Sequence, residues 1–288
     1  MPIAGTSDVA ESAKGDSSTI RNGSVVVGVR PHGSYTSDTT RSTGGPTVVQ
    51  METKFISSFD DPKYYGSRSS LLTGLLSWYK FNETSGSVRN NSIADDLALT
   101  DNNTVSKTTV GLVENGASFI DANNEYLSIA SGSANTMGNA ESFSLSLWLK
   151  LTSTSSNQDI AEMWESGQRK FNLMYYAGGT NLRYYTSTNG SSSNYVTSGL
   201  TTISSATWYN IIITGSGSER RLYLNNSDVT TGTAGAGVNS SSTSSFAVGG
   251  AGSLGGVVSE LAYWTKVLSS DERASIYNSG AGITYPGF

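Results

Sequence analysis

The chain has 288 residues, room for one large domain plus an extension. Only 14% of them are charged, against about 25% in an ordinary globular protein, and the polarity comes instead from Ser, Thr, Asn and Gly, a mixture that favours short strands and polar turns over long solvated helices. A net charge of −5 without any Lys/Arg cluster argues against a nucleic-acid binder, and the absence of Cys removes disulfides, thiolate nucleophiles and Cys-based zinc sites.

The opening stretch, MPIAGTSDVAESAKGDSS, has no basic segment followed by an apolar core, so no secretory leader is expected in it. No apolar run approaches the ~20 residues of a membrane span, and no membrane insertion is expected. Residues 1–70 hold two short β-like runs, SVVVGVR (24–30) and TVVQM (47–51), in a Gly/Ser/Thr/Pro background. Two such strands bury too little apolar surface to offset chain entropy, so residues 1–70 read as an extended arm and residues 71–288 as the folded body. The arm suits anchoring to a partner: Val25, Val26, Val27, Val29, Val48 and Val49 would add strands to a neighbour's sheet edge, with Phe55 and Phe59 as aromatic anchors.

From Leu75 onward the pattern is regular. LLSWYKF (75–81), ASFI (117–120), YLSI (126–129), FSLSLWLKL (143–151) and DIAEMW (159–164) read as strands. FNLMYY (171–176), LRYYTS (182–187), NYVT (194–197), TWYNIIIT (207–214), RLYLN (221–225), SFAVGG (245–250) and VVSELAYW (257–264) follow. They are short, rich in β-branched and aromatic residues, and separated by Gly/Asn/Ser turns. In FSLSLWLKL, Phe143, Leu145, Leu147, Leu149 and Leu151 share one face, and Ser144, Ser146, Trp148 and Lys150 the other, as in a half-buried strand. One helix is expected, in SSDERASIYNSG: Ser269 and Glu272 make a capping box, Ile276 and Tyr277 supply apolar contacts, and Gly280 supplies the stop. A dozen strands with one helix predict an all-β fold, an antiparallel two-sheet sandwich.

The order of motifs resembles the laminin-G-like, concanavalin A-like lectin/glucanase family over residues about 74–280. GLLSWYKFNETSG (74–86) resembles its opening strand, and GASFIDANNEYLSI (116–129) its second signature. SFSLSLWLKL (142–151), TWYNIIIT (207–214) and RLYLNNSDV (221–229) resemble its central strands and hairpin, and residues 246–277 its closing strand and helix. Two departures stand out: Ser259 occupies a position where the family often has Asp, and Asn225-Asn226 replaces the usual Asn-Gly turn. The resemblance implies a jelly-roll with a curved sheet and, in many relatives, a structural Ca²⁺.

Candidate chemistry follows from residue types. A glycosidase needs two carboxylates on one face about 5–9.5 Å apart. No even-spaced acidic run occurs, and Glu162 and Glu165, three apart, are expected on opposite strand faces. The sole histidine, His32, lies in the arm, so the body is read as non-enzymatic. No cofactor is expected apart from a structural Ca²⁺, for which Glu83, Asn90, Asp95, Asp96, Asp121 and Glu260 are the candidate donors; the same residues also serve as turn formers and solvated acids. Tyr175, Tyr176, Tyr184, Tyr185 and Tyr195 fall in three successive strands beside Arg183, and alternation sends about half of them outward. Such a set suits sugar stacking, a protein contact, or cross-strand pairing that steadies the sheet.

Two functions are expected on these grounds. The first is a non-enzymatic structural protein of a virus or bacteriophage particle, located in the virion, homo-oligomeric, anchored to other virion proteins through the arm, with an outward sandwich available to a cell-surface glycan. The second is a carbohydrate-binding or adhesion module of a bacterial surface or secreted protein. A glycoside hydrolase is the third.

Overall fold

The computed structural model describes residues 19–20, 49–50, 70–233, 237–250 and 253–287. The chain divides into two units, Met1–Gly66 and Ser67–Phe288. In the first, strands β1 (Thr19–Ile20) and β2 (Val49–Gln50) pair antiparallel, with Ile20 opposite Val49. The other anchoring candidates, Val25, Val26, Val27, Val29, Val48, Phe55 and Phe59, lie outside the described residues.

The second unit is a two-sheet antiparallel sandwich, as the strand pattern predicts. One sheet, here the front sheet, runs in space as β13 (Asn194–Thr197), β12 (Asn181–Gly190), β11 (Arg169–Tyr176), β10 (Gln158–Met163), β17 (Phe246–Val248), β8 (Tyr126–Ile129), β5 (Leu99–Asn102) and β4 (Val88–Arg89). The back sheet runs as β16 (Ser227–Asp228), β15 (Arg220–Leu224), β14 (Tyr209–Gly215), β9 (Phe143–Leu151), β18 (Gly256–Trp264), β7 (Asn115–Phe119) and β6 (Ser106–Val110), and β3 (Leu75–Tyr79) also pairs with β18. Hairpin neighbours such as β11–β12 and β14–β15 are joined by contacts that are far apart in sequence, among them β10–β17, β14–β9, β9–β18 and β3–β18, so the sheets are completed only when the whole chain collapses. The strands absent from the sequence reading, β4, β5, β6 and β16, are polar or very short (VR, LTDN, SKTTV, SD) and take their conformation from the ladders beside them.

The core lies between the sheets. Phe143 of β9 stacks on Phe171 of β11 with centroids 5.0 Å apart, and on Tyr263 of β18 at 5.5 Å, all three rings fully buried. Alternation along β11 sends Phe171, Leu173 and Tyr175 into this core and Asn172, Met174 and Tyr176 away from it.

The back sheet departs from the half-buried pattern expected of β9. Ser144, Ser146 and Trp148 are buried as well as the leucines. The outer side of this sheet is roofed by helix α2 (Ser270–Tyr277) and the segment after it: Trp78, Ile212, Ala262 and Trp264 pack with Leu268, Ile276 and Ile283. Trp148 stacks on Tyr277 at 5.9 Å. A shorter helix, α1 (Asn135–Gly138), precedes β9. In α2 the Ser269 hydroxyl accepts from the Glu272 amide while the Glu272 carboxylate accepts from the Ser269 amide, so the capping box forms. The stop differs from expectation. Asn278, not Gly280, takes the left-handed cap at φ 46, a conformation that Asn enters more readily than most residues. Asn225 and Asn226, at φ 49 and 65, likewise make the two-residue hairpin turn between Leu224 and Ser227.

Candidate functional site

With the back sheet roofed, the outer face of the front sheet is the broad sheet face that carries partly exposed aromatic and acidic side chains. Its organisation follows from cross-strand register. Tyr195 pairs with Tyr185, Tyr185 with Asn172, Asn172 with Glu162, Glu162 with Ala247, and Ala247 with Ser128. These six residues form a transverse row, one per strand, at the ~4.8 Å spacing of adjacent strands. Tyr185 and Tyr195 have ring centroids 4.9 Å apart. Trp164 follows Glu162 by two residues and meets Tyr185 edge-on at 6.0 Å. Its ring is steadied by the Arg169 guanidinium at 5.4 Å. Arg183 lies 3.3 Å from the Tyr176 centroid and 4.9 Å from that of Tyr195, and its Nη1 donates to the Tyr185 hydroxyl at 3.3 Å.

The structure therefore brings together Tyr176, Arg183, Tyr185 and Tyr195 from the sequence-derived set and removes two others. Tyr175 and Tyr184 point into the core and are fully buried, their hydroxyls donating to the Thr154 and Thr214 carbonyls. Period-two alternation places one tyrosine of each YY pair on the inside, so neither Tyr175 nor Tyr184 is available to a ligand.

A second correction concerns acids. The sequence offers no even-spaced acidic run, and the pair weighed from it is Glu162 with Glu165, not Asp159, which is also three residues from Glu162. The β10–β11 register slips between Asp159 and Ala161, a bulge that inserts one residue and returns Glu162 to the face occupied by Asp159. Both carboxylates accept from a single donor, Asn172 Nδ2, at 2.8 Å from Asp159 Oδ1 and 2.7 Å from Glu162 Oε2. Burial, with the Asp159 charge adding to it and the Asn172 hydrogen bond opposing it, pushes the Glu162 carboxyl up to about 7. Asp159 also accepts from the Ser253 hydroxyl at 3.3 Å. Glu165 lies beyond β10 and accepts from the Ser245 amide and hydroxyl. Asn172 and Trp164 are site residues that the sequence reading did not single out. Trp164 was legible, since it alternates with Glu162 in the run DIAEMW, although β10 itself ends at Met163; the acid pair was not.

The candidate calcium donors are not brought together: among the described residues no group of three or more His, Asp or Glu is placed to hold a metal. Glu83 accepts from the Asn90 amide at 2.7 Å, and Asp121, the first residue of a 3₁₀ turn, accepts from the Ala122 amide at 2.8 Å. Asp95 and Asp96 lie in a 3₁₀ turn at Asp95–Leu97. Glu260 sits in the β18 bulge at φ 49, buried behind the back sheet and bonded to Trp78 Nε1, and burial pushes its carboxyl up to about 7. Glu83, Asp121 and Glu260 are each engaged by nearby donors, whereas Ca²⁺ wants six to eight converging oxygens.

A family model described as concanavalin A-like lectin/glucanases superfamily matches residues 121–272, more than half of the chain. The chain belongs to this superfamily. No curated protein sequence matches it. Among solved structures it is similar to a Trypanosoma rangeli sialidase in complex with sialic acid, at TM-score 0.58 and 12% identity, covering 87% of this chain and 43% of that one. It is also similar to a botulinum neurotoxin type C structure whose cell entry depends on two ganglioside molecules, at TM-score 0.54 and 10% identity, covering 75% and 52%. A third, the binding domain of botulinum neurotoxin DC with SialylT, has TM-score 0.54 and 12% identity, covering 72% and 51%. This chain spans about half of those chains or less, and at such identity the likeness concerns the fold.

Proposed function

We propose that this chain is a carbohydrate-binding sandwich that takes sugar on the outer face of the front sheet and binds it without turnover. The observation that carries the reading is the transverse row from Tyr195 through Tyr185 and Asn172 to Glu162. Aromatic rings lie at one end and hydrogen-bonding oxygens at the other, the pairing that a pyranose with one apolar face and a rim of hydroxyls requires. Tyr185 and Trp164 offer the apolar surface, and Asp159, Glu162 and Asn172 the polar contacts. Similarity in fold to parts of a sialidase solved with sialic acid and of a neurotoxin whose cell entry depends on gangliosides supports sugar in general as the ligand class.

Hydrolysis is the second reading, favoured by a carboxyl held near neutrality beside another carboxylate. Against it, the Asn172 amide nitrogen stands between the two carboxyls, in the space a glycosidic oxygen would need. The particle anchor and virion location expected from the sequence concern residues 1–70, almost all outside the described set, and sugar recognition by the body is argued independently of them. A glycan microarray tests the reading. Retained glycans should be lost in Tyr185→Ala with the fold intact by circular dichroism. An empty array, or binding indifferent to Tyr185 and Trp164, would refute it, and reducing-end release by the wild type but not by Glu162→Gln would replace binding with hydrolysis.

A further inference from the structure

Resting on that reading, we propose a ligand class: the sugar carries a free ammonium group, as in a de-acetylated 2-amino sugar, and Asp159 and Glu162 hold that group.

The floor of the site is built of acceptors. The two carboxylates face outward, and the one amide donor between them, Asn172 Nδ2, is spent on both. Asn172 is only 5% exposed, yet its Oδ1 has no hydrogen-bond partner. Strand alternation aims this side chain at the outer face, between Glu162 and Tyr185. A buried acceptor left unpaired is costly, so its partner is a donor that the ligand brings.

Charge narrows the donor further. Two bonds to one nitrogen hold the carboxylate oxygens within about 5.5 Å of each other. Among the described residues no Lys or Arg forms an ion pair with either acid. The guanidinium of Arg183 is engaged by Tyr176, Tyr185 and Tyr195, and that of Arg169 by Trp164 and the Ser191 carbonyl. Hydroxyl donors would satisfy Asn172 but leave the charge of Asp159, joined by that of Glu162 once it ionises near pH 7, uncompensated, whereas an ammonium supplies three donors and a positive charge together. A carboxylated sugar would be repelled.

The geometry has room for such a ligand. Trp164 lies just past the end of β10, two residues after Glu162, a separation of about 6.8 Å in extended chain. A ring against Trp164 and Tyr185 therefore brings one of its substituents to Glu162. On the other side the row continues with Ala247 and Ser128, small side chains that leave the carboxylates open.

Isothermal titration of the full chain with the glucosamine tetramer, the N-acetylglucosamine tetramer and sialyllactose tests the proposal. The free-amine tetramer should bind about tenfold more tightly than its acetylated counterpart, and the difference should shrink with added salt. Asp159→Asn/Glu162→Gln, nearly isosteric, should erase the preference while keeping the melting transition cooperative, and Tyr185→Ala should weaken both tetramers alike. Equal or tighter binding of the acetylated tetramer or of sialyllactose, still dependent on Tyr185, would overturn the ammonium site and leave the sugar-binding reading standing. Absence of Tyr185-dependent binding to any of the three, together with an empty microarray, would overturn both.

Discussion

Replacing Glu162 by Gln should stabilise the protein at alkaline pH and leave it nearly unchanged in acid. In the folded state burial and the neighbouring Asp159 raise the Glu162 carboxyl from 4.5 to about 7. The unfolded chain releases this proton from about pH 4.5 upward, while the folded chain retains it until about pH 7. Between those values the unfolded state binds fewer protons, so stability falls as pH rises. The stabilising contribution is complete below pH 4.5 and gone above pH 7. A displacement of this size corresponds to about 3 kcal/mol at most, and partial exposure of the side chain reduces the expected effect to about 2 kcal/mol. Gln retains the acceptor for Asn172 Nδ2 and adds an amide that can donate to Asp159, so the variant removes the ionisation and little else. Glu260 titrates in the same direction and window but in both proteins, and cancels from the difference. Thermal melts from pH 4 to 8 should show the variant's advantage opening to about 4–8 °C, the shift expected of 2 kcal/mol in a domain of this size. An advantage that does not change between pH 5 and 8, or a variant less stable than wild type at pH 8, would refute the assignment of Glu162 as a strained, buried carboxyl.

Phe143→Ala should cost about 3–5 kcal/mol in urea unfolding, because it removes the ring that joins the sheets through Phe171 and Tyr263. Lys170→Met should cost about 2–4 kcal/mol by the same assay: the buried Nζ donates to the carbonyls of Gly138, Ala140 and Asn239, and Met leaves all three without that donor. Asn226→Gly should raise stability by about 0.4–1 kcal/mol, since φ 65 suits Gly better and the Asn226 side chain makes no hydrogen bond like the one Asn225 receives from the Asn210 amide. Ser269→Ala should cost about 1 kcal/mol through loss of the capping box, readable as a lowered melting temperature.

Much of the fold was legible because strand alternation and turn chemistry are local properties. The runs from Leu75 to Trp264 carry their own period, β9 begins and ends at its expected residues, and Asn225-Asn226 announces its hairpin. The same alternation divided each tyrosine pair into an inner and an outer member without saying which, since the sequence contains no label for the side on which the second sheet lies. Only packing decided that Tyr175 and Tyr184 belong to the core and Tyr176 and Tyr185 to the surface. Only packing buried the polar face of β9, by laying α2 across it.

The acid pair marks the boundary most clearly. By the rule of two, Asp159 and Glu162 face opposite ways, and that rule holds for an unbroken strand. The bulge that unites them is a property of how β10 pairs with β11, and Asn172, the residue that joins the two carboxylates, comes from the neighbouring strand. Periodicity within one strand is written in the order of residues, but register between strands is settled by the free energy of the whole sheet. The composition and strand pattern of this chain therefore determined a β-sandwich, and tertiary structure alone decided which of its side chains meet.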